Sequence, residues 1–380
     1  MLKDLGAGKL QRPTDRRSFM KKTLLAGTAT VGAGLIAAKT ASGQTTGQTL
    51  PPTRGDIAIL SLLAAAELIE ADLWQQYAEL GGLTPGQLPV ETTATFTPMN
   101  SYQGAFMNLD PDGPQYISSN NLDEQSHAAF LNAYLESVGA PAVNLDKFRT
   151  LPSSRAEGAQ NIGRLTNLMN LTVDTSWYTR YRSSTNPDFG ATYQQAITLS
   201  QVPGIPRTNA DFNLSNIQAI ANIAAFHFGF IEQAGSSLYA TLSQQVHNPE
   251  VLKITLSIGG DELLHFLEWV DFAGNSVQPT VAPLAAANGL PAFPNFDVAD
   301  PVSPNPLLQT NLIFPVPCEF INAKLPKCAV LRPTSPGQID AIGAINGFIA
   351  DGLFIGQPQS FIELLLTLAA EADAAQRLVR

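Results

Sequence analysis

Charge is scarce in this chain. Of its 380 residues 14% are Asp, Glu, Lys or Arg and 44% are hydrophobic, against roughly 25% charged in an average soluble protein. That balance excludes intrinsic disorder for most of the chain and leaves enough apolar side chains for a sizeable core. Positive charge is scarcest where it would matter for phosphate binding. Residues 1–43 hold 8 of the 22 Lys and Arg, leaving 14 basic against 30 acidic residues in the remainder. An acidic body with no basic stripe does not neutralise phosphates, which argues against nucleic acid and anionic membrane surfaces as partners and favours metal cations. Only two cysteines occur, Cys318 and Cys328, and neither stands at metal-ligand spacing from a His or Cys. A disulfide stapling a Pro-rich segment is the expectation for them. Strand-period alternation, a glycine-rich nucleotide loop and a solenoid-period repeat are all missing. A Gly-x-Ser-x-Gly elbow is missing too, which sets aside a serine hydrolase.

What is present begins with an address. Asp15-Arg16-Arg17-Ser18-Phe19-Met20-Lys21-Lys22 precedes a mildly apolar Gly/Ala/Thr-rich run from Thr23 to Ala38, and Ala41-Ser42-Gly43 offers small residues for cleavage. The layout is that of a signal peptide, and its paired arginines resemble the twin-arginine export motif. The apolar run is shorter than the ~20 residues needed to span a bilayer, so no stable membrane insertion is expected. The resemblance implies the twin-arginine export machinery as a partner, a periplasmic or extracellular destination, and folding, with any cofactor loaded, before export. Residues 1–43 are thus expected to be signal and 44–54 a linker.

The length predicts either two to three domains or one large domain with appendages. From Asp56 to Leu80 the chain is Ala/Leu-rich and free of Pro and Gly, with Asp56 as cap and Gly81-Gly82 as stop, which predicts a long helix. Residues 81–117, punctuated by Pro85, Pro89, Pro98, Pro111 and Pro114, read as a long loop. A second helix is expected from about Ser118–Asn121 to Gly139-Ala140-Pro141. A third candidate covers 157–183, where Leu165, Leu168, Met169, Leu171 and Trp177 have loosely helical spacing up to Asn186-Pro187-Asp188. The fourth is expected over about 215–246. A fifth follows at once, with Asn248 as cap, Pro249 in its first turn and an end at Gly274, and the short link forces an antiparallel pair. Prolines recur from Val277 to Pro336, so 276–380 reads as a wrapping segment closed by a helix from Gln359 to Arg380. The expected class is all-α: an antiparallel four-helix bundle over 55–275 with long inserted loops and a Pro-rich C-terminal extension.

A carboxylate on a helix face meant for burial is costly unless something pairs with it. The first helix carries Glu67 and Glu70, three apart and on one face. The second carries Asp123-Glu124-Gln125-Ser126-His127 and the fifth Asp261-Glu262-Leu263-Leu264-His265, each a Glu-x-x-His that sets a carboxylate beside an imidazole over one turn. The fourth carries Glu232 among Phe228, Phe230 and Ile231. One Glu from each of two helices plus Glu-x-x-His from each of two others is the ligand set of carboxylate-bridged dinuclear iron or manganese sites in helix bundles. His227, five residues before Glu232, reads as a core or supporting imidazole, and His247 as a turn residue. Trp74, Tyr77 and Trp269 read as bundle packing. The third bundle helix could instead be 157–183, where Asp174 is followed seven residues later by Tyr181, the spacing of Glu70 and Tyr77. Glu232 would then move toward the fourth-helix position, and because Glu232-Gln233-Ala234-Gly235 lacks the His, the site would be degraded or differently built.

On this order of Glu, Glu-x-x-His, Glu, Glu-x-x-His the chain resembles the ferritin-like superfamily, and within it the exported twin-arginine-signal proteins related to desiccation-associated ferritin-like proteins. The resemblance spans residues 55–275. It implies Glu67 as a terminal ligand with Glu70 as its rival, Glu124 and Glu262 as bridging carboxylates, His127 and His265 as nitrogen ligands, and Glu232 as the second terminal carboxylate. It implies two Fe or Mn ions acting on oxygen, peroxide or ferrous iron, a ferroxidase or peroxide-removing oxidoreductase in stress response. It leaves the oligomeric state open, a homodimer included. The rival expectations are a structural or stress-protection protein without productive metal and, least favoured, a cage-forming iron store.

Overall fold

The structure is a computed structural model that describes residues 50–83, 97–174, 198–276 and 340–377, with isolated positions between 285 and 329. The expected signal peptide, Cys318, Trp177, Tyr181 and the 186–188 breaker lie outside the described residues. Residues from Leu50 onward make one compact unit.

That unit is predominantly α-helical. Helix α1 spans Arg54–Gly81. Its cap is Thr53 rather than Asp56: Thr53 Oγ1 accepts from Asp56 N at 3.1 Å, and Asp56 Oδ2 accepts from Thr53 N at 2.8 Å, a reciprocal capping box. The other oxygen of Asp56 accepts from the backbone of His247 and Asn248, tying the start of α1 to a distant turn.

The stretch expected as loop holds a short helix, α2 (Ser101–Leu109), capped by Asn100 accepting from Gln103 N. Helix α3 (Gly113–Ser137) starts earlier than expected, because Pro114 needs no N–H in a first turn and its ring presets the backbone there. It stops where expected. Gly139 adopts φ +80, and the amides of Gly139 and Ala140 close onto Glu136 O and Leu135 O.

No helix forms over the described part of 157–183. Its backbone donors are claimed from elsewhere: Asp72 of α1 accepts from Leu165 N, Thr166 N and the Thr166 hydroxyl, while Asn167 N and Thr172 N donate to Leu353 O and Asp351 O. Strand β1 (Leu171–Asp174) pairs antiparallel with β2 (Thr198–Val202). Leu171 and Val173 face inward, an alternation too short to register in the sequence. The third long helix is therefore α4 (Ile217–Ser243), followed after a tight turn by α5 (Pro249–Ser276) with Asn248 Oδ1 accepting from Glu250 N and Val251 N.

In the C-terminal region β3 (Pro315–Val316) pairs with β4 (Cys328–Ala329). The expected disulfide falls outside the described residues, as Cys318 does. Helix α6 (Ala341–Ala350), which the sequence had not suggested, precedes α7 (Gln359–Asp373), which ends short of the expected Arg380. Asp373 accepts from Ala341 N and Ile342 N, so the end of α7 caps the start of α6.

Helix α1 packs along α3 and α4 along α5, with α3 also meeting α5 and α7 lying against α1. The core between them is aliphatic and aromatic, including Ile69, Leu73, Trp74, Leu131, Phe228, Ile231, Leu238 and Trp269. Among the described residues no helix is long and apolar enough to cross a membrane.

Candidate metal centre

Within this interior the acidic residues of the four long helices converge. Glu67, Glu124, His127 and Glu262 each offer a ligand atom within 4.8 Å of the others, and so do Glu124, Glu232, Glu262 and His265. All six are buried. Glu124 and Glu262 belong to both groups. Nδ1 of His127 lies 3.3 Å from Glu67 Oε2, 3.3 Å from Glu124 Oε2 and 3.4 Å from Glu262 Oε1. Nδ1 of His265 lies 3.1 Å from Glu124 Oε1 and 3.3 Å from Glu232 Oε2. The two rings are 6.2 Å apart. The structure thus brings together six of the seven residues singled out by the sequence. Glu70 belongs to neither group. It is buried one turn from Glu67, close enough to feel Glu262, Glu124, Glu67 and Glu232.

Four further residues hold these six in place. Both Glu-x-x-His motifs are preceded by aspartate, and the two aspartates cross over: Asp261 Oδ2 is 3.2 Å from His127 Nε2, and Asp123 Oδ2 is 3.4 Å from His265 Nε2. The hydrogen bond to Asp261 fixes a proton on His127 Nε2 and leaves its Nδ1 to face the cluster, whereas Asp123 stands beside His265 Nε2 at ion-pair distance without a well-formed hydrogen bond. Asn120, one turn before Glu124, donates to Glu124 Oε1 and Glu232 Oε1, both at 3.0 Å, and accepts from Trp269 Nε1 at 2.9 Å. Tyr239 donates to Glu67 Oε1. Gly235 stands three residues after Glu232, where the other motifs carry His; a Cβ there would collide with Glu262 Oε2. The glycine keeps space for that carboxylate. Sequence reading missed all five of these residues, although the doubled Asp-Glu-x-x-His was a visible signal for the aspartates.

The electrostatics are those of crowded, desolvated acids. Burial pushes Glu124 up to about 8, Glu232 adding to the effect and the two imidazoles opposing it. Glu262 and Glu70 are raised well above the usual carboxylate range, first by burial and then by their acidic neighbours. Burial on its own would lower His127, yet Asp261, Glu124, Glu262 and Glu67 outweigh it and hold the imidazole protonated. His265 is raised in the same way by Glu232, Asp123 and Glu124. Among the described residues no lysine or arginine pairs with any of the clustered glutamates. Glu67 Oε2, Glu232 Oε2 and both oxygens of Glu262 are buried without a well-formed hydrogen bond.

No protein-family model, curated protein or solved structure matches this chain.

Buried charges persist where they are paired or coordinate metals, and here the acceptors outnumber every available donor. Carboxylate oxygens with one imidazole per group could hold a metal ion, and this ligand mix suits a hard or borderline divalent cation.

By contrast, His227 and His247 stand apart from the cluster. His227 is a core imidazole between Tyr77 and Asp351, and His247 sits in the α4–α5 turn.

Proposed function

We propose that the protein is an exported ferritin-like four-helix bundle, formed by α1, α3, α4 and α5, that binds two Fe or Mn ions and acts on oxygen, peroxide or ferrous iron. The observation carrying this reading is the pair of overlapping buried ligand groups that share Glu124 and Glu262, each with one imidazole. Glu67, Glu124, His127 and Glu262 would hold one ion, and Glu124, Glu232, Glu262 and His265 the other. Four carboxylates balance two divalent cations in charge. Oxygen-rich donor sets favour Fe or Mn over softer thiolate-seeking metals.

The bound ions would supply the electrons for reducing an oxidant. The protein's own contribution is geometric and protonic. Asp123 and Asp261 stand beside the imidazoles, Asn120 and Tyr239 hold the carboxylates, and the burial of all six clustered side chains keeps bulk water from them. The acidic groups release their protons as cations enter. The twin-arginine-like N-terminus supports export of the folded, loaded protein, and the acidic body speaks against nucleic-acid partners.

Elemental analysis of protein purified from the exported fraction tests the reading: about two metals per chain are expected. Replacing Glu124 and His127 together by Gln should abolish bound metal while leaving far-UV circular dichroism unchanged. Undiminished metal in that variant would overturn the assignment, and wild-type protein that takes up no Fe or Mn would leave a structural, stress-protection role.

A further inference from the structure

A third acidic group stands at the outer edge of the candidate centre. Two carboxylate oxygens lie beside the outward-facing Nε2 of His265: Asp123 Oδ2 at 3.4 Å and Asp261 Oδ2 at 3.8 Å. With that nitrogen they make a group whose ligand atoms all lie within 4.8 Å of one another. The side chains of Asp123 and Asp261 are 46% and 39% exposed, whereas the inner six residues are buried. The group therefore sits where the cluster meets solvent, along the seam between α3 and α5.

The two Asp-Glu-x-x-His motifs look alike in sequence and differ at their outer nitrogens. Nε2 of His127 donates to Asp261. Nε2 of His265 has no well-formed hydrogen bond, although its side chain is only 6% exposed and two carboxylates stand beside it. A buried imidazole nitrogen bonded to neither neighbour is costly unless a further group completes it. Among the described residues no lysine or arginine pairs with Asp123 or Asp261. One turn beyond His265, Glu268 is pushed up to about 8 by burial, with His265 opposing and Asp110, Glu232 and Asp123 adding to the effect. Its Oε1 lacks a well-formed hydrogen bond too. The seam is short of positive charge.

We propose that Asp123 Oδ2, Asp261 Oδ2 and His265 Nε2 form a third divalent-cation site, outside the two inner groups and of the kind that suits zinc. Zinc takes nitrogen and oxygen ligands at about 2.1 Å in a tetrahedral array, which sets neighbouring ligand atoms about 3.4 Å apart. His265 Nε2 stands 3.4 and 3.8 Å from its two carboxylate neighbours. Water would complete the fourth position from the exposed side. The cation takes the place of the Nε2 proton, which leaves to solvent, while Nδ1 keeps its proton 3.1 Å from Glu124 Oε1. Asp261 Oδ2 has a second lone pair for the bond from His127. A neutral imidazole lends one lone pair, so His265 serves either this site through Nε2 or the inner group of Glu232 through Nδ1. The outer cation therefore competes with one inner ion. That competition rests on the dinuclear reading given above; the outer site itself does not.

The test uses zinc on the full, chelator-treated protein. Replacing Glu124 and Glu262 together by Gln disables both inner groups. That variant, folded by circular dichroism, should bind one zinc in equilibrium dialysis and lose it when Asp123→Asn is added. No bound zinc, or zinc retained with Asp123→Asn, overturns the proposal. Wild-type protein supplies a second measurement that does not depend on the double variant folding. One equivalent of zinc should lower manganese uptake from two ions to one, and Asp123→Asn should restore two. Zinc that lowers manganese equally in both chains sits in an inner group, which also overturns the proposal. A chain that binds one Asp123-dependent zinc and neither manganese nor iron removes the dinuclear reading, with its competition, and leaves the outer site standing. One that binds two manganese ions and no such zinc removes this proposal alone.

Discussion

Asp261 on α5 reaches across to His127 on α3, its Oδ2 3.2 Å from the outward-facing Nε2, and the bond from His127 holds its carboxyl below the usual range. The contact decides which imidazole nitrogen faces the candidate centre. Asp261→Asn keeps size and polarity but removes the charge that fixes the tautomer. Losses for such supporting groups run about 10–100-fold in metal affinity, and competition titration with a chromogenic chelator would read a loss of that size here. Unchanged affinity in this variant and in Asp123→Asn would show that neither aspartate orients a ligand.

Gly235 offers a sharper steric test. Adding a Cβ there would drive into Glu262 Oε2, and the neighbour that must yield is the carboxylate common to both candidate groups. Gly235→Ala is expected to raise helix propensity by up to about 1 kcal/mol and still lower metal content. Metal analysis and thermal melts on one preparation would separate these opposing effects. Full metal loading would mean that Glu262 does not need its present position.

Protonation of the metal-free cluster sets the sign of its pH response. Glu124, Glu262 and Glu70 are raised by burial, and His127 and His265 are raised by their carboxylate neighbours. The folded chain thus binds more protons than the unfolded chain once pH passes the ordinary carboxylate range, and stability falls as pH rises. For chelator-treated protein, the melting temperature should drop between about pH 5 and the Glu124 midpoint of about 8. Manganese should flatten that drop. A metal-free melting temperature rising through the same window would contradict the reading.

Asp72 is a buried acid of a different kind. Its oxygens accept from Leu165 N, Thr166 N, the Thr166 hydroxyl, Gln76 and, at 2.7 Å, Arg149. Asp72→Ala would orphan several donors at once, and a destabilisation of about 3–5 kcal/mol is expected from breaking one partner of a buried pair. Urea unfolding would measure it, and metal stoichiometry in the folded fraction should stay unchanged.

Asp72 also shows how far the sequence could be read. An acid on an apolar helix face marks Glu67, Glu124, Glu232 and Glu262, but the same rule fits Asp72 and does not reveal that a loop ninety residues on will satisfy it. Spacing succeeded where both partners sit on one helix, as in Glu124 and His127. Contacts between helices, such as Tyr239 with Glu67, leave no local trace. Over 157–174, the described part of the helix expected at 157–183, none forms for the matching reason: the apolar spacing was real, but amides there are taken by Asp72, Asp351 and Leu353. Helix α2 was hidden by the prolines on either side of it. Its own nine residues contain none.

The position of Asp351 has a consequence for biosynthesis. His227 acquires its acidic partner only when the chain after α6 docks, and α6 in turn is capped by Asp373. The chain must leave the ribosome at least as far as Asp373 before the surroundings of His227 are complete. A route that threads unfolded chain across a membrane as it is made would have to postpone that docking to the far side, whereas a route that waits for a finished fold would let it happen at home.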